Sequence, residues 1–235
     1  MNILQDEGYC NACKEYCSLE AGEDNFNLLK KDLENYKRYK DIFVYSCPNC
    51  GFVSSDITSE EGDIYNKIKT IQAYKDIIDY ADLKGLDKEL YEHHSADIPA
   101  NLYEACVLIA LAQKDYERAI RLTYKAIWLK QIMARKYRIS KAELGGEEDN
   151  DDEYDKLDLL IQQSIDGNRQ QIEKYYNQVE NKNIFLKLLY IENLANMCKL
   201  SEAKKEFLTV IKKISIAKDL KDYFNSLLNL IWNFI

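Results

Sequence analysis

The sequence predicts a mainly α-helical chain: a small ribbon-like module over residues 1–60, then an array of antiparallel helical hairpins over residues 61–235. Three observations carry this. Two Cys-x-x-Cys turns, Cys10-Asn11-Ala12-Cys13 and Cys47-Pro48-Asn49-Cys50, lie within the first sixty residues. Beyond them, apolar residues recur every three or four positions, the period of a helix with one buried face. Only 2 prolines and 8 glycines punctuate 235 residues, which favours long helices over many short strands.

Composition narrows the class further. A hydrophobic share of 46% beside a charged share of 31% belongs to a folded chain rather than a disordered one. The net charge of −8 opposes a broad phosphate-binding surface, because such affinity rests on Lys and Arg displacing counterions. Residues Met1 to Glu7 carry neither a basic segment nor an apolar one, so no secretory signal is expected there. No stretch reaches the roughly 18 uninterrupted apolar residues of a membrane span. The cysteine number, 7, is odd, and Cys106 and Cys198 fall in apolar helical runs, where free cysteine behaves as a small core residue. A reducing cytoplasm with metal-bound thiolates is the expectation, not a disulfide framework.

Each Cys-x-x-Cys turn offers two thiolates a few Å apart, and two turns close a four-sulfur cage around a tetrahedral ion. The expected ligands are Cys10, Cys13, Cys47 and Cys50, and the expected metal is zinc. With sulfur at all four positions no place remains for water, so the metal is expected to be structural. Cys17 either replaces Cys13 in this set or stays free as a redox-reactive thiol. Pro48 stiffens the second turn, and Gly51 supplies a positive φ that aims backbone amides at the sulfurs.

Between the turns, Leu29, Leu33 and Tyr36 have helical spacing, with Asp24 or Asn25 as N-cap. Ile42 to Ser46 is β-branched and aromatic, a strand entering the second turn, and Phe52-Val53 leaves it, making a small hairpin. From Glu60 onward helices take over. Ile64, Ile68, Ile71, Ile78 and Ala81 mark one face, ending near Gly85; a polar break runs from Glu92 to Pro99. Leu102 to Ala112 is apolar almost all round, hence buried on several sides. After the turn Gln113-Lys114-Asp115 comes a long helix through Ala119, Ile127 and Ala134.

The acidic run Gly145 to Glu153 reads as a solvated loop, since it lacks the alternating spacing of a calcium-binding EF-hand loop. Leu157 through Val179 outlines another helix, in which Gly167 marks a break, and Ile184 through Ala217 a further hairpin. A last amphipathic helix runs from Leu220 to Ile235; its polar face lacks the basic residues of a membrane-surface helix.

Asp115-Tyr116-Glu117-Arg118-Ala119-Ile120, with the helix before it, resembles a tetratricopeptide unit, in which a small residue lets two helices cross closely. Lys199 to Lys204 repeats the idea around Ala203. Ala119 and Ala203 stand 84 positions apart, not a multiple of 34, so the array is irregular. Taken whole, the chain resembles the bacterial domain-of-unknown-function 2225 family. The residues that carry the likeness are Cys10, Cys13, Tyr45 to Phe52 with Cys-Pro-x-Cys-Gly, and the helices from Ala119 to Trp128. The first turn departs from the pattern, Cys-Asn-Ala-Cys-Lys without Pro or Gly, and Cys17 is extra. The resemblance implies the architecture and brings no reaction with it.

The functional expectation is a non-enzymatic zinc protein that docks a peptide or partner protein on its helices. The alternative is a nucleic-acid-binding regulator using the ribbon through Lys30, Lys31, Lys37 and Arg38. Against it, residues 1–60 hold six lysines and arginines beside eleven carboxylates. His93 and His94 have no nucleophile or metal ligand near them in sequence, so a polar loop is expected there. Tyrosines such as Tyr103, Tyr116, Tyr124, Tyr175, Tyr176 and Tyr190 are expected mainly in helix packing, with some lining a groove.

Overall fold

The computed structural model describes residues 4–21, 44–47, 49–54, 59–79, 100–143, 148–211, 225 and 227–231. The expected helix over 26–36, the pair His93 and His94, and the basic group from Lys30 to Lys40 lie outside them. Among the described residues the chain is mainly helical, with the cysteine turns in its N-terminal part. It divides into two compact units, Met1–Asp158 and Leu159–Ile235.

The first unit opens with two small antiparallel hairpins. Strands β1 (Leu4–Tyr9) and β2 (Tyr16–Ala21) pair with Tyr9 opposite Tyr16. Strands β3 (Tyr45–Ser46) and β4 (Val53–Ser54) pair with Ser46 opposite Val53. The β3–β4 hairpin answers the sequence expectation. The β1–β2 hairpin was not foreseen, because Leu-Gln-Asp-Glu-Gly-Tyr carries little strand propensity of its own.

Helices α1 (Glu61–Ile68) and α2 (Gln72–Asp79) follow where one continuous face was expected. The chain turns at 69–71, Ile71 N–H donating to the Ile68 carbonyl, and Ile71 is exposed. The break lets Tyr65 and Tyr74, rather than Ile71, cover the ribbon: their rings meet edge to face at 5.5 Å, and Tyr65 packs on buried Phe52 at 5.2 Å. Helices α3 (Ala100–Ala112) and α4 (Tyr116–Glu143) form an antiparallel hairpin. Tyr103, Ala105, Cys106, Ile109 and Ala110 of α3 are buried, as its nearly all-apolar sequence requires, and β4 packs against it.

Helix α5 (Glu148–Gln178) contains the division between the units. It corrects two expectations. Residues 148–153, expected in a loop, lie in its first turns, since Glu and Asp are compatible with a helix N-terminus. Gly167 does not break it either. A methyl built on Gly167 meets nothing within 4 Å, so the residue only lowers helix propensity. Gly167→Ala is therefore expected to stabilise the protein by about 1 kcal/mol, read from the midpoint of urea unfolding.

In the second unit α6 (Ile184–Asn196) and α7 (Leu200–Ile211) form a hairpin. Asn183 caps α6, its side chain accepting from the Leu186 N–H at 2.8 Å. Its core holds Ile172, Leu186, Leu189, Ile191 and Phe207, joined by Leu227 and Ile231 from the helical stretch 227–231. Cys198, expected in the core, is exposed: it takes φ 60° in the turn that ends α6.

The two hairpins turn alike. Lys114 N–H donates to the Leu111 carbonyl and Asp115 N–H to that of Ala110. Cys198 N–H donates to Ala195 and Lys199 N–H to Leu194, each group 84 positions further on. Lys114 and Cys198 both stand in the left-handed region, and Ala119 and Ala203 are both fully buried. The spacing of 84 that fits no 34-residue period thus relates two hairpins with the same turn.

Candidate metal centre

Both cysteine turns are the tips of the two β-hairpins, and both are built the same way. In the first, Cys10 N–H donates to the Glu15 carbonyl and Lys14 N–H to the Cys10 carbonyl, at 2.9 and 2.8 Å. In the second, Cys47 N–H donates to Phe52 and Gly51 N–H to Cys47, at 2.8 and 2.9 Å. The residue after the second cysteine has positive φ in each, 64° at Lys14 and 73° at Gly51. Glycine takes that conformation freely; lysine does so at a cost of roughly 1–2 kcal/mol. The first turn therefore keeps the backbone of the second without its glycine.

The turns face each other so that all four sulfurs lie within 4.8 Å of one another. The Cys10 and Cys50 sulfurs are 3.7 Å apart, those of Cys13 and Cys47 3.8 Å. A regular tetrahedron of sulfurs about 2.3 Å from its centre has edges of about 3.8 Å. The four are close enough to hold a metal ion, and two of the six separations match that edge. Cys10 and Cys47 are buried, Cys13 and Cys50 partly so. Cys17 has its backbone in β2, opposite Gly8.

Burial, and then the adjoining Cys47 and Cys10 sulfurs, hold the Cys50 thiol well above the ordinary range, against the Phe52 backbone N–H that favours the thiolate. Several thiolates crowded this closely need a positive charge at their centre, and a bound cation reverses the sign of the local field.

Helix α1 supports the cage from one side. Asn11 Nδ2 donates to the Ser59 carbonyl at 2.9 Å, and Asn66 Nδ2 donates to the Ala12 carbonyl at 3.1 Å. Between them Gly62 lies so close that a Cβ would stand 2.6 Å from both Ala12 N and the Asn11 carbonyl carbon. On the second turn, the Tyr65 hydroxyl donates to the Cys50 carbonyl and that of Tyr74 to Gly51. These positions were not found from the sequence. The one local signal was Gly62 in the first turn of a helix, where glycine is costly unless something packs against it.

Burial foremost, then the sulfurs, pushes the Tyr65 phenol from its usual 10 up to about 12. A folded pKa raised above the unfolded one gives stability that is whole below pH 10 and is lost as pH rises toward 12. Tyr65→Phe should be less stable than the parent by about 1 kcal/mol at pH 8, for the lost hydrogen bond. That gap should close between pH 10 and 12, in denaturant midpoints measured across the range; a constant gap would contradict it.

Glu61 ties the cage to the helices. Ser54 Oγ donates to its Oε2, and Arg118 grips both carboxylate oxygens, with Glu61 only 8% exposed. Burial alone would raise this carboxyl, but the hydrogen bonds from Arg118 and Ser54 and the guanidinium charge hold it below its ordinary 4.5. Arg118 lies in the first turn of α4, its N–H bonded to Asp115 Oδ1 at 3.0 Å.

Fold and site together define a class: a mainly helical chain whose N-terminal part carries four cysteines close enough to hold a metal ion. No family model, curated protein or solved structure matches the chain. No helix among the described residues is long and apolar enough to cross a membrane.

Proposed function

We propose that this is a non-enzymatic zinc protein of the cytoplasm, in which a structural Zn(Cys)4 ribbon supports helical hairpins that dock a peptide or partner protein. The convergence of the Cys10, Cys13, Cys47 and Cys50 sulfurs, all within 4.8 Å of one another, carries the reading. Four thiolates select zinc over the hard cations that oxygen donors hold. They also leave no coordination position for water or substrate, which supports a structural role over a catalytic one. Paired helices joined by a short turn, each pair with a buried alanine early in its second helix, are the unit from which docking arrays are stacked, and this supports a tetratricopeptide-like role. The order of cysteine turn, aromatic strand, Cys-Pro-Asn-Cys-Gly and hairpins supports membership of the domain-of-unknown-function 2225 family.

The test is elemental analysis of protein purified without added metal. One zinc per chain, released when the thiols are alkylated, is expected; a chain free of metal would overturn the metal reading. Docking is tested separately, by retention from native lysate on the intact, metal-loaded chain. A partner held by the wild type and displaced by an excess of free chain is expected, and its absence argues against a scaffold.

A further inference from the structure

Helix α1 touches both metal turns and, through one side chain, the start of α4. Gly62 and Asn66 bear on the first turn, and Tyr65 on the second. Glu61 reaches in another direction to Ser54 of β4 and Arg118 of α4. There is no slack at the first contact. Gly62 lies against peptide backbone, not the end of a flexible side chain, so a change in the Cys10–Cys13 turn must be met by a movement of α1. The second contact is sensitive to alignment, with the Glu61 side chain 10% and that of Arg118 24% exposed. A carboxylate and a guanidinium withdrawn from water are favourable only while their hydrogen bonds stay aligned, and a displaced partner leaves a buried charge uncompensated.

We propose that these contacts form a metal-operated latch: metal occupancy of the cysteine cage is transmitted through α1 to the Glu61–Arg118 pair and sets the order of the first turn of α4. The inference rests on the metal reading above and adds a consequence to it. With metal bound, the two cysteine turns are fixed, α1 is seated on them, and Glu61 meets Ser54 and Arg118. Without it, nothing binds the two cysteine turns to each other, the turns relax, α1 shifts, and Arg118 is released. The turn it anchors carries Gln113, Lys114 and Asp115, all exposed at the tip of the α3–α4 hairpin. Surface presented there therefore depends on a cation held elsewhere. Coupling between two sites is reciprocal, so weakening the pair must also loosen the metal.

The reciprocal effect supplies the test, in the full chain. Metal content is measured first. The metal-loaded wild type and Glu61→Gln are then mixed with an excess of chelator and the released ion is followed with time. Glu61→Gln keeps the side-chain shape and removes the charge; release about tenfold faster is expected. Lys199→Gln, which breaks the 2.7 Å ion pair with Glu173 in the other unit, should release at the wild-type rate. In parallel, amide exchange of wild type is compared with and without metal. Residues 118–122 should exchange at least tenfold faster once metal is removed, while the matching stretch 202–206 changes little. A chain that binds no metal overturns the metal reading and the latch with it. A chain that binds one ion, but releases it from Glu61→Gln at the wild-type rate, overturns the latch alone. Should metal removal unfold the whole first unit, the release rates, taken on folded protein, still decide.

Discussion

Cys47→Ser is expected to purify with little or no metal and to lose the folded ribbon. Cys47 is 1% exposed, supplies one sulfur of the cage, and its backbone makes both hydrogen bonds that shape the second turn. Serine preserves that backbone, so the loss falls on the metal bond itself. A structural zinc contributes about 10–16 kcal/mol to the fold of a small module. Whole domains are stable by about 5–15 kcal/mol, so a hairpin as short as β3–β4 is expected to depend on a cation held at its tip. Two measurements check this: metal per chain, and thermal unfolding followed by circular dichroism. Cys198→Ser is the contrast. That residue is exposed in the α6–α7 turn, and its substitution should shift stability by no more than about 0.5 kcal/mol. Full metal content and an unchanged melt in Cys47→Ser would mean that the cage does not hold the ribbon together.

The contrast between these cysteines also shows which information is local. Cys10, Cys13, Cys47 and Cys50 could be grouped from spacing because a metal turn is a six-residue structure closed by its own backbone. The second turn was the easier to read, since Pro48 and Gly51 announce it. In the first, Lys14 takes the conformation that Gly51 takes, and only the contacts around it enforce that. Cys198 was misplaced for a related reason. Its neighbours Met197 and Leu200 look like helix interior, and the left-handed turn at φ 60° is set by the helices meeting across it. The acidic run misled in the opposite direction: charge density was read as loop, whereas carboxylates in a helix's first turns are favourable. Burial along α5 was legible from its apolar period, and burial along α3 from a sequence apolar on nearly every side. Tyr65 shares the buried face of α1 with Glu61 and Ile68, at helical spacing, one position away from the Ile64 that the isoleucine pattern favours; Tyr65 and Tyr74 pack there on the ribbon and on each other.

Gly62 is where this distinction becomes measurable. At an ordinary helical site, exchanging glycine for alanine stabilises by about 1 kcal/mol, the outcome expected at Gly167. At Gly62 the same exchange should reverse sign. The added methyl would stand 2.6 Å from backbone atoms of Asn11 and Ala12, a separation no rotamer can relieve. Either α1 moves off the first cysteine turn or the turn is pushed from its geometry. Overfilling a packed site costs about 1–3 kcal/mol, and here the Asn11–Ser59 and Asn66–Ala12 hydrogen bonds are strained as well. A net destabilisation of about 2 kcal/mol is expected for Gly62→Ala, with faster loss of metal to a chelator; Gly167→Ala should show neither. Urea unfolding of the two variants, side by side, settles it. Equal and stabilising shifts would mean that α1 does not press on the turn, and that the tightness at Gly62 has no part in holding the sulfurs. Opposite shifts would locate the support of the metal centre in a helix whose contribution no cysteine spacing could disclose.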